Sequence, residues 1–260
     1  MQVFIAFIIR MHTHRGITKN SFRPGSCYWD KLIPFDWILE VIELALFFFT
    51  LTRGALILRT VTGQADILVT GIPFISPYNV NSFLNPLLVQ VMANGYLFNL
   101  YKGVPMVKKG GTMIILHPCT DLFDNDHHAP YIEFVHRLLP HTRDAMELHK
   151  EWEPKFAKNP AYLEMYRYGN SYHPTHPFFM WYWGEAGRQH LGRMIVVGAD
   201  NEYIPQLLGW ETARTMDEAL RMAKQTAPPN PNIMALHCPP IFMAEMSAER
   251  HRSPVAALSS

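Results

Sequence analysis

Short apolar runs alternate along the chain with longer stretches whose apolar positions recur every three or four residues. ADILVTG (65–71), TMIILHP (112–118), RMIVVGA (193–199) and NIMALHCP (232–239) are runs of the first kind, each flanked by turn residues. Runs of that length, rich in β-branched residues, predict buried strands. Helices are predicted over SFLNPLLVQVMANGYLF (82–98), APYIEFVHRLL (129–139), TRDAMELHKEWEPKFA (142–157), PTHPFFMWYWGEAGRQHLG (174–192) and TMDEALRMAKQTA (215–227). Two starts carry specific signals. Ser82 is a candidate N-cap, with Asn85 before a first-turn Pro86 as the alternative start, and Thr215 with Glu218 forms a capping box. Asn94-Gly95 is expected to stop or bend the first helix, and Lys108 to Gly111 reads as a turn before the second strand.

Strand and helix in alternation predict an α/β fold, a mostly parallel sheet flanked by helices in the Rossmann-like manner. Ligands of such sheets bind outside the carboxyl ends of the strands. Those ends are Gly71-Ile72-Pro73, His117-Pro118-Cys119, Gly198-Ala199-Asp200 and His237-Cys238-Pro239.

Residues 1–64 follow no such pattern and read as a divergent N-terminal segment, 65–246 as the α/β domain and 247–260 as a disordered tail. The apolar stretch IPFDWILEVIELALFFFTLTRGALIL is interrupted by Asp36, Glu40 and Glu43, and its clean part, LALFFFTL, is too short to span a bilayer. MQVFIAFII stands before the first arginine rather than after it, the reverse of a secretory signal.

Composition narrows the function classes. With 260 residues, 48% hydrophobic and 17% charged, the chain can bury a substantial core. A net charge of +1 gives no footprint for nucleic acid. Three scattered cysteines exclude a zinc ribbon or redox dithiol, and their odd number favours a reducing compartment. The expectation is a cytoplasmic protein with neither a nucleic-acid nor a membrane partner.

HPCTDLFDNDHHAP (117–130) is the densest polar stretch. As a calcium loop it fails, because Ala129 stands where glycine is required and Val135 where glutamate is. It holds no recognised zinc spacing either. A polar loop with Asp126 capping the next helix is the plain reading. A metal-dependent hydrolase or lyase built on His117, Asp121, His127 and His128 is a competing one. A second dense patch holds His173 and His176, then FFMWYWGEAGRQH (178–190), in which Trp181 and Trp183 are candidates for an aromatic pocket. Glu185 and Arg188 are spaced for a surface ion pair. Glycine-rich nucleotide fingerprints and the G-x-S-x-G elbow are absent.

The order DILVTGIPF, a Pro/Asn-rich loop, NPLLVQVMANGYLFN, VKKGGTMIILHPC and then GRMIVVGAD, TMDEALRMAKQTA and NIMALHCPP resembles the C-terminal half of the nickel-pincer lactate racemase family. The resemblance covers roughly two-thirds of the chain. It implies a substrate-facing loop carrying Tyr78, Asn79, Asn81, Ser82 and Asn85, and a strand end carrying His117, Thr120 and Asp121. It also implies an isomerase that interconverts 2-hydroxy acids by hydride transfer on a nickel pincer nucleotide. In the family a lysine tethers that cofactor, a histidine ligates the nickel, and two further histidines act as acid and base, largely from an N-terminal domain. None of these groups finds a matching position here. The S-D-x-T-R-P-like motif is missing, and PYNVNSFLNPLL lacks the family's Gln and Lys. No catalytic residue and no metal ligand is therefore assigned. The expectation is a divergent racemase-like protein that binds or racemises a small 2-hydroxy acid. It would be incomplete alone, with its cleft finished by a separate N-terminal half or a second copy. The alternative is a non-catalytic subunit.

Overall fold

A computed structural model describes residues 58–74, 76, 78, 84–97, 104–236 and 243–247. Most of the N-terminal segment, the tail beyond 247, and Asn79, Asn81, Ser82, His237, Cys238 and Pro239 lie outside the described residues.

Each predicted strand forms, and together they make a parallel sheet. β2 (Ala65–Gly71), β3 (Val107–Leu116), β4 (Arg193–Val197), β5 (Glu211–Ala213) and β6 (Ile233–Leu236) lie in the order β5-β4-β3-β2-β6. All four pairings are parallel. β1 (Leu58–Thr62) pairs separately with β7 (Met243–Ser247). The chain steps outward from β2 to β5, then crosses back to place β6 on the far side of β2.

Both faces of the sheet are covered, as its near-continuous apolar strands require. Met113, Ile114 and Ile115 of β3 are fully buried. On one face Ile67, Ile114 and Ile195 pack with Ala219 and Ala223, whose small side chains face the sheet from α9 (Met216–Lys224). α7 (Glu185–His190) packs against β3 and is joined by α1 (Pro86–Gln90), the π-helical turn Val91–Tyr96 that continues it, and α6 (His176–Trp183), which pack on one another. The long β3–β4 connection also holds α2 (Ala129–Glu133) with its π-turn Phe134–Leu138, α3 (Ala145–Glu147) with its π-turn Leu148–Trp152, α4 (Glu153–Ala157) and α5 (Pro160–Tyr168). A short α8 (Tyr203–Leu208) precedes β5.

Two expectations need correcting. Lys108 to Gly111 is not a turn before β3 but part of it. The pairing jumps from Ala65↔Val107 to Ile67↔Thr112, so the extra residues bulge, and Gly110 takes φ +80° there. A Cβ on Gly111 would sit 2.8 Å from the Asp66 carbonyl oxygen, so this close approach requires glycine. Asn94-Gly95 falls in the π-turn, which ends one residue later at Tyr96, as expected of a stop at this pair. Finally, Glu185 and Arg188 do pair, at 2.6 Å, but not on the surface. The Arg188 guanidinium is largely enclosed, donating to Gln90 Oε1 at 2.9 Å and to the Trp181 carbonyl at 2.7 Å. It also lies over the Trp181 ring at 3.8 Å. Gln90 in turn donates to the Met180 carbonyl at 3.0 Å. One arginine thus ties α1, α6 and α7 together, where i, i+3 spacing suggested only a solvated pair.

Candidate functional site

β3 ends at the centre of the sheet, and the chain leaves it through His117-Pro118-Cys119. Both sides of this turn are clasped to β4. His117 N–H donates to the Val197 carbonyl at 3.2 Å, and Asp200 N–H to the Pro118 carbonyl at 2.8 Å. The His117 side chain is 3% exposed. Its Nδ1 accepts the Cys119 N–H at 2.9 Å, while Nε2 is buried without a hydrogen-bond partner. Burial pushes the imidazole down to about 4, against a weaker opposing pull from Asp200, so the ring is neutral at neutral pH. Phe74, just past β2, lies against the ring with centroids 4.9 Å apart. Phe74 is 57% exposed and Leu116 42%, so apolar surface stands beside the buried His117.

Asn85 is the second buried donor among the expected substrate residues. Its Oδ1 caps α1, accepting from Leu87 N–H at 3.1 Å and Leu88 N–H at 3.2 Å, as the sequence signal predicts. Its Nδ2 is buried without a partner. Thr120 is half-buried. Asp121 is directed elsewhere, its Oδ1 lying 3.0 Å from His136 Nε2. Trp181 is fully buried under Arg188 and donates to the Arg143 carbonyl at 3.1 Å. Trp183 is half-buried and stacks on Tyr96 with centroids 5.9 Å apart. The two tryptophans therefore occupy different surroundings.

Tyr78 belongs to an assembly that the sequence displayed as two separate patches. The ring of His128, from the first patch, stacks on Tyr172 at 5.4 Å, and Tyr172 stacks on His176, from the second, at 4.9 Å. Tyr78 meets His176 edge-on at 4.6 Å, and Tyr131 is hydrogen-bonded to His176 Nδ1. Burial depresses His176 to about 3, with His173 and His128 adding to the effect, and depresses His173 to about 4. Burial also raises the phenols of Tyr78, Tyr131 and Tyr172. The result is a neutral, largely enclosed stack.

Asp126 does not cap α2. His128 occupies the N-cap position without a side-chain cap bond. Asp124 is the organising carboxylate, accepting from Asp126 N–H at 3.1 Å, His127 N–H at 2.9 Å and His127 Nδ1 at 2.8 Å. These bonds hold its carboxyl below the usual range. The metal reading loses its geometry in the same way. His127 is committed to Asp124, Asp121 to His136, and both His128 nitrogens to backbone groups. Among the described residues no group of three or more His, Cys, Asp or Glu could hold a metal ion.

A groove of about 530 Å³ is bordered by Arg143, Tyr203 and Gln206 and contains none of the expected site residues. Arg143 there donates to the Gln206 carbonyl at 3.3 Å. Buried polar side-chain atoms without a hydrogen-bond partner include His117 Nε2 and Asn85 Nδ2, and also both amide atoms of Asn94 and Trp152 Nε1. Of these residues, His117 is the one that stands at the carboxyl end of the central strand, where sheets of this kind bind ligands. No described helix is long and apolar enough to cross a membrane.

No protein-family model matches the sequence, and no curated protein matches it. Among solved structures the chain is similar to the lactate racemase apoprotein from Thermoanaerobacterium thermosaccharolyticum. The identity is 18% and the TM-score 0.42, over 72% of this chain and 37% of that one. The relationship is a distant structural one, and this chain spans 37% of that protein's length.

Proposed function

We propose that the carboxyl edge of the sheet binds a small 2-hydroxy acid, with His117 donating to a ligand oxygen, and that the chain forms one wall of a racemase-type cleft. The observation that carries this reading is His117 Nε2, a buried polar atom without a partner at the carboxyl end of the central strand. A buried donor left unmet costs about 1–3 kcal/mol, which a ligand acceptor recovers. Asn85 Nδ2 supplies a second donor of the same kind. The racemase-like order of strands, loop and helix described from the sequence agrees with a hydroxy acid as the ligand class.

The described residues do not fit a nickel pincer nucleotide. Lys108 and Lys109 lie near the amino end of β3, away from the edge, and Lys108 is paired with Asp66 at 3.0 Å. Lys150, Lys155, Lys158 and Lys224 lie on or beside helices. The hydride acceptor that racemisation needs is therefore not assigned to any of these residues, and the reading gives them ligand binding alone.

Isothermal titration of the chain with D- and L-lactate, and with propionate as the analogue lacking the hydroxyl, tests the proposal. Saturable lactate binding that weakens with propionate and disappears in His117→Phe supports it. Equal binding by native and variant chains rejects it.

A further inference from the structure

We infer that Cys119 is a positioning residue: its backbone, turned into the left-handed region, sets its N–H on His117 Nδ1 and so fixes His117 as a hydrogen-bond donor at Nε2, making the sheet edge a site for an acceptor oxygen and not for a metal ion.

The turn is unusual in a way that sequence does not announce. Cys119 has φ +48°, one of two non-glycine residues with positive φ among those described, and it is fully buried. Left-handed backbone costs a residue with a Cβ on the order of 1 kcal/mol, so surrounding structure must impose it. Here the clasp onto β4 does so, through Val197 on one side and Asp200 on the other. The consequence is the 2.9 Å bond from Cys119 N–H to His117 Nδ1.

A neutral imidazole carries its proton on one nitrogen only. With Nδ1 accepting, that proton is on Nε2. A histidine that ligates a metal through Nε2 needs the opposite arrangement: a lone pair on Nε2, and Nδ1–H donating to a carbonyl or carboxylate. Placing a proton on His117 Nδ1 would set it against the Cys119 N–H. The buried thiol takes no part, since burial and the nearby Asp200 carboxylate push it up to about 12. That the donor meets a hydroxy acid rests on the function proposed above; that Cys119 sets the donor does not.

Long-range ¹H–¹⁵N spectra of the full chain labelled at histidine read the tautomer directly, with His117 assigned by its loss in His117→Phe. At neutral pH the account expects a protonated Nε2 and an unprotonated Nδ1. Cys119→Gly keeps the N–H and accepts left-handed backbone, so the same tautomer is expected. Cys119→Val disfavours that backbone and is expected to give mixed tautomers. Added Ni²⁺ or Zn²⁺ should leave the His117 signals in place. An Nδ1–H tautomer in the native chain or the Gly variant, or His117 signals displaced by the metal, overturns the inference. An unchanged tautomer in a folded Val variant also overturns it. The native and glycine measurements decide the matter if the valine chain does not fold. Lactate binding is not an arm of this test, so its failure and that of the proposed function are separable.

Discussion

His128 Nε2 donates to the Tyr78 carbonyl oxygen at 3.2 Å, because its Nδ1 is already an acceptor for the Asp124 N–H at 3.3 Å. Both nitrogens are used by backbone groups, and the ring works only while neutral. His128→Phe keeps the stacking area on Tyr172 but leaves Tyr78 without this bond. The expected result is a loss of about 1–3 kcal/mol in denaturant unfolding, with an unchanged denaturant slope. A loss below a few tenths of a kcal/mol would show that the bond carries no stability.

Acid should weaken the fold. Burial lowers His117 and His173 to about 4 and His176 to about 3. In the unfolded chain each returns to the ordinary value near 6.5, so below that pH the unfolded state takes up protons that the folded state refuses. The stability is fully present above about pH 6.5 and falls as pH drops toward the folded values. Each group contributes about 1–2 kcal/mol of loss between about pH 6.5 and pH 5. Urea midpoints measured on both sides of that interval check this. His176→Phe should flatten the dependence, and a midpoint unchanged through the interval contradicts the burial of these rings as neutral groups.

Gly187 is held by contact rather than by conformation. A Cβ there would lie 2.6 Å from the Asn94 carbonyl oxygen and 2.9 Å from Asn94 Cβ, so the π-turn and α7 could not keep their spacing. Gly187→Ala is expected to lower stability by about 1–3 kcal/mol. Gly71, which has open space around it, should accept alanine within about 0.5 kcal/mol. Thermal melts of the two variants compare them directly.

The Arg188 network gives a sharper contrast. Arg188→Met leaves Glu185, Gln90 Oε1 and the Trp181 carbonyl without their shared donor, a loss of about 3–5 kcal/mol for a partly enclosed pair. Arg188→Lys should recover little of it, because an ammonium cannot reproduce the planar fork or its stacking on Trp181. Full rescue by lysine in urea unfolding would mean that charge alone matters.

The strands were legible because four apolar runs alternate with helical periods; the predicted ADILVTG coincides with β2 residue for residue. α5 was not, because none of its residues is buried. β5 was missed because it is three residues long. At the site, Asn85 was readable as a cap from the following proline. The density of His and Asp in 117–130 suggested one centre, whereas folding sends His117 to the sheet edge and His128 into the Tyr172–His176 stack. Local sequence holds no signal for that division, since Tyr172 and His176 come from more than forty residues away. The left-handed turn at Cys119 was equally hidden, being imposed by contacts to β4.

The most direct measurement is the His117 Nε2–H resonance during titration with lactate. The account predicts a saturable shift of that one resonance toward stronger hydrogen bonding, with a smaller response to propionate and the His128 and His176 signals unmoved. A His117 resonance that stays fixed while lactate binds elsewhere, or while nothing binds, contradicts a hydroxy-acid site at the carboxyl edge of this sheet.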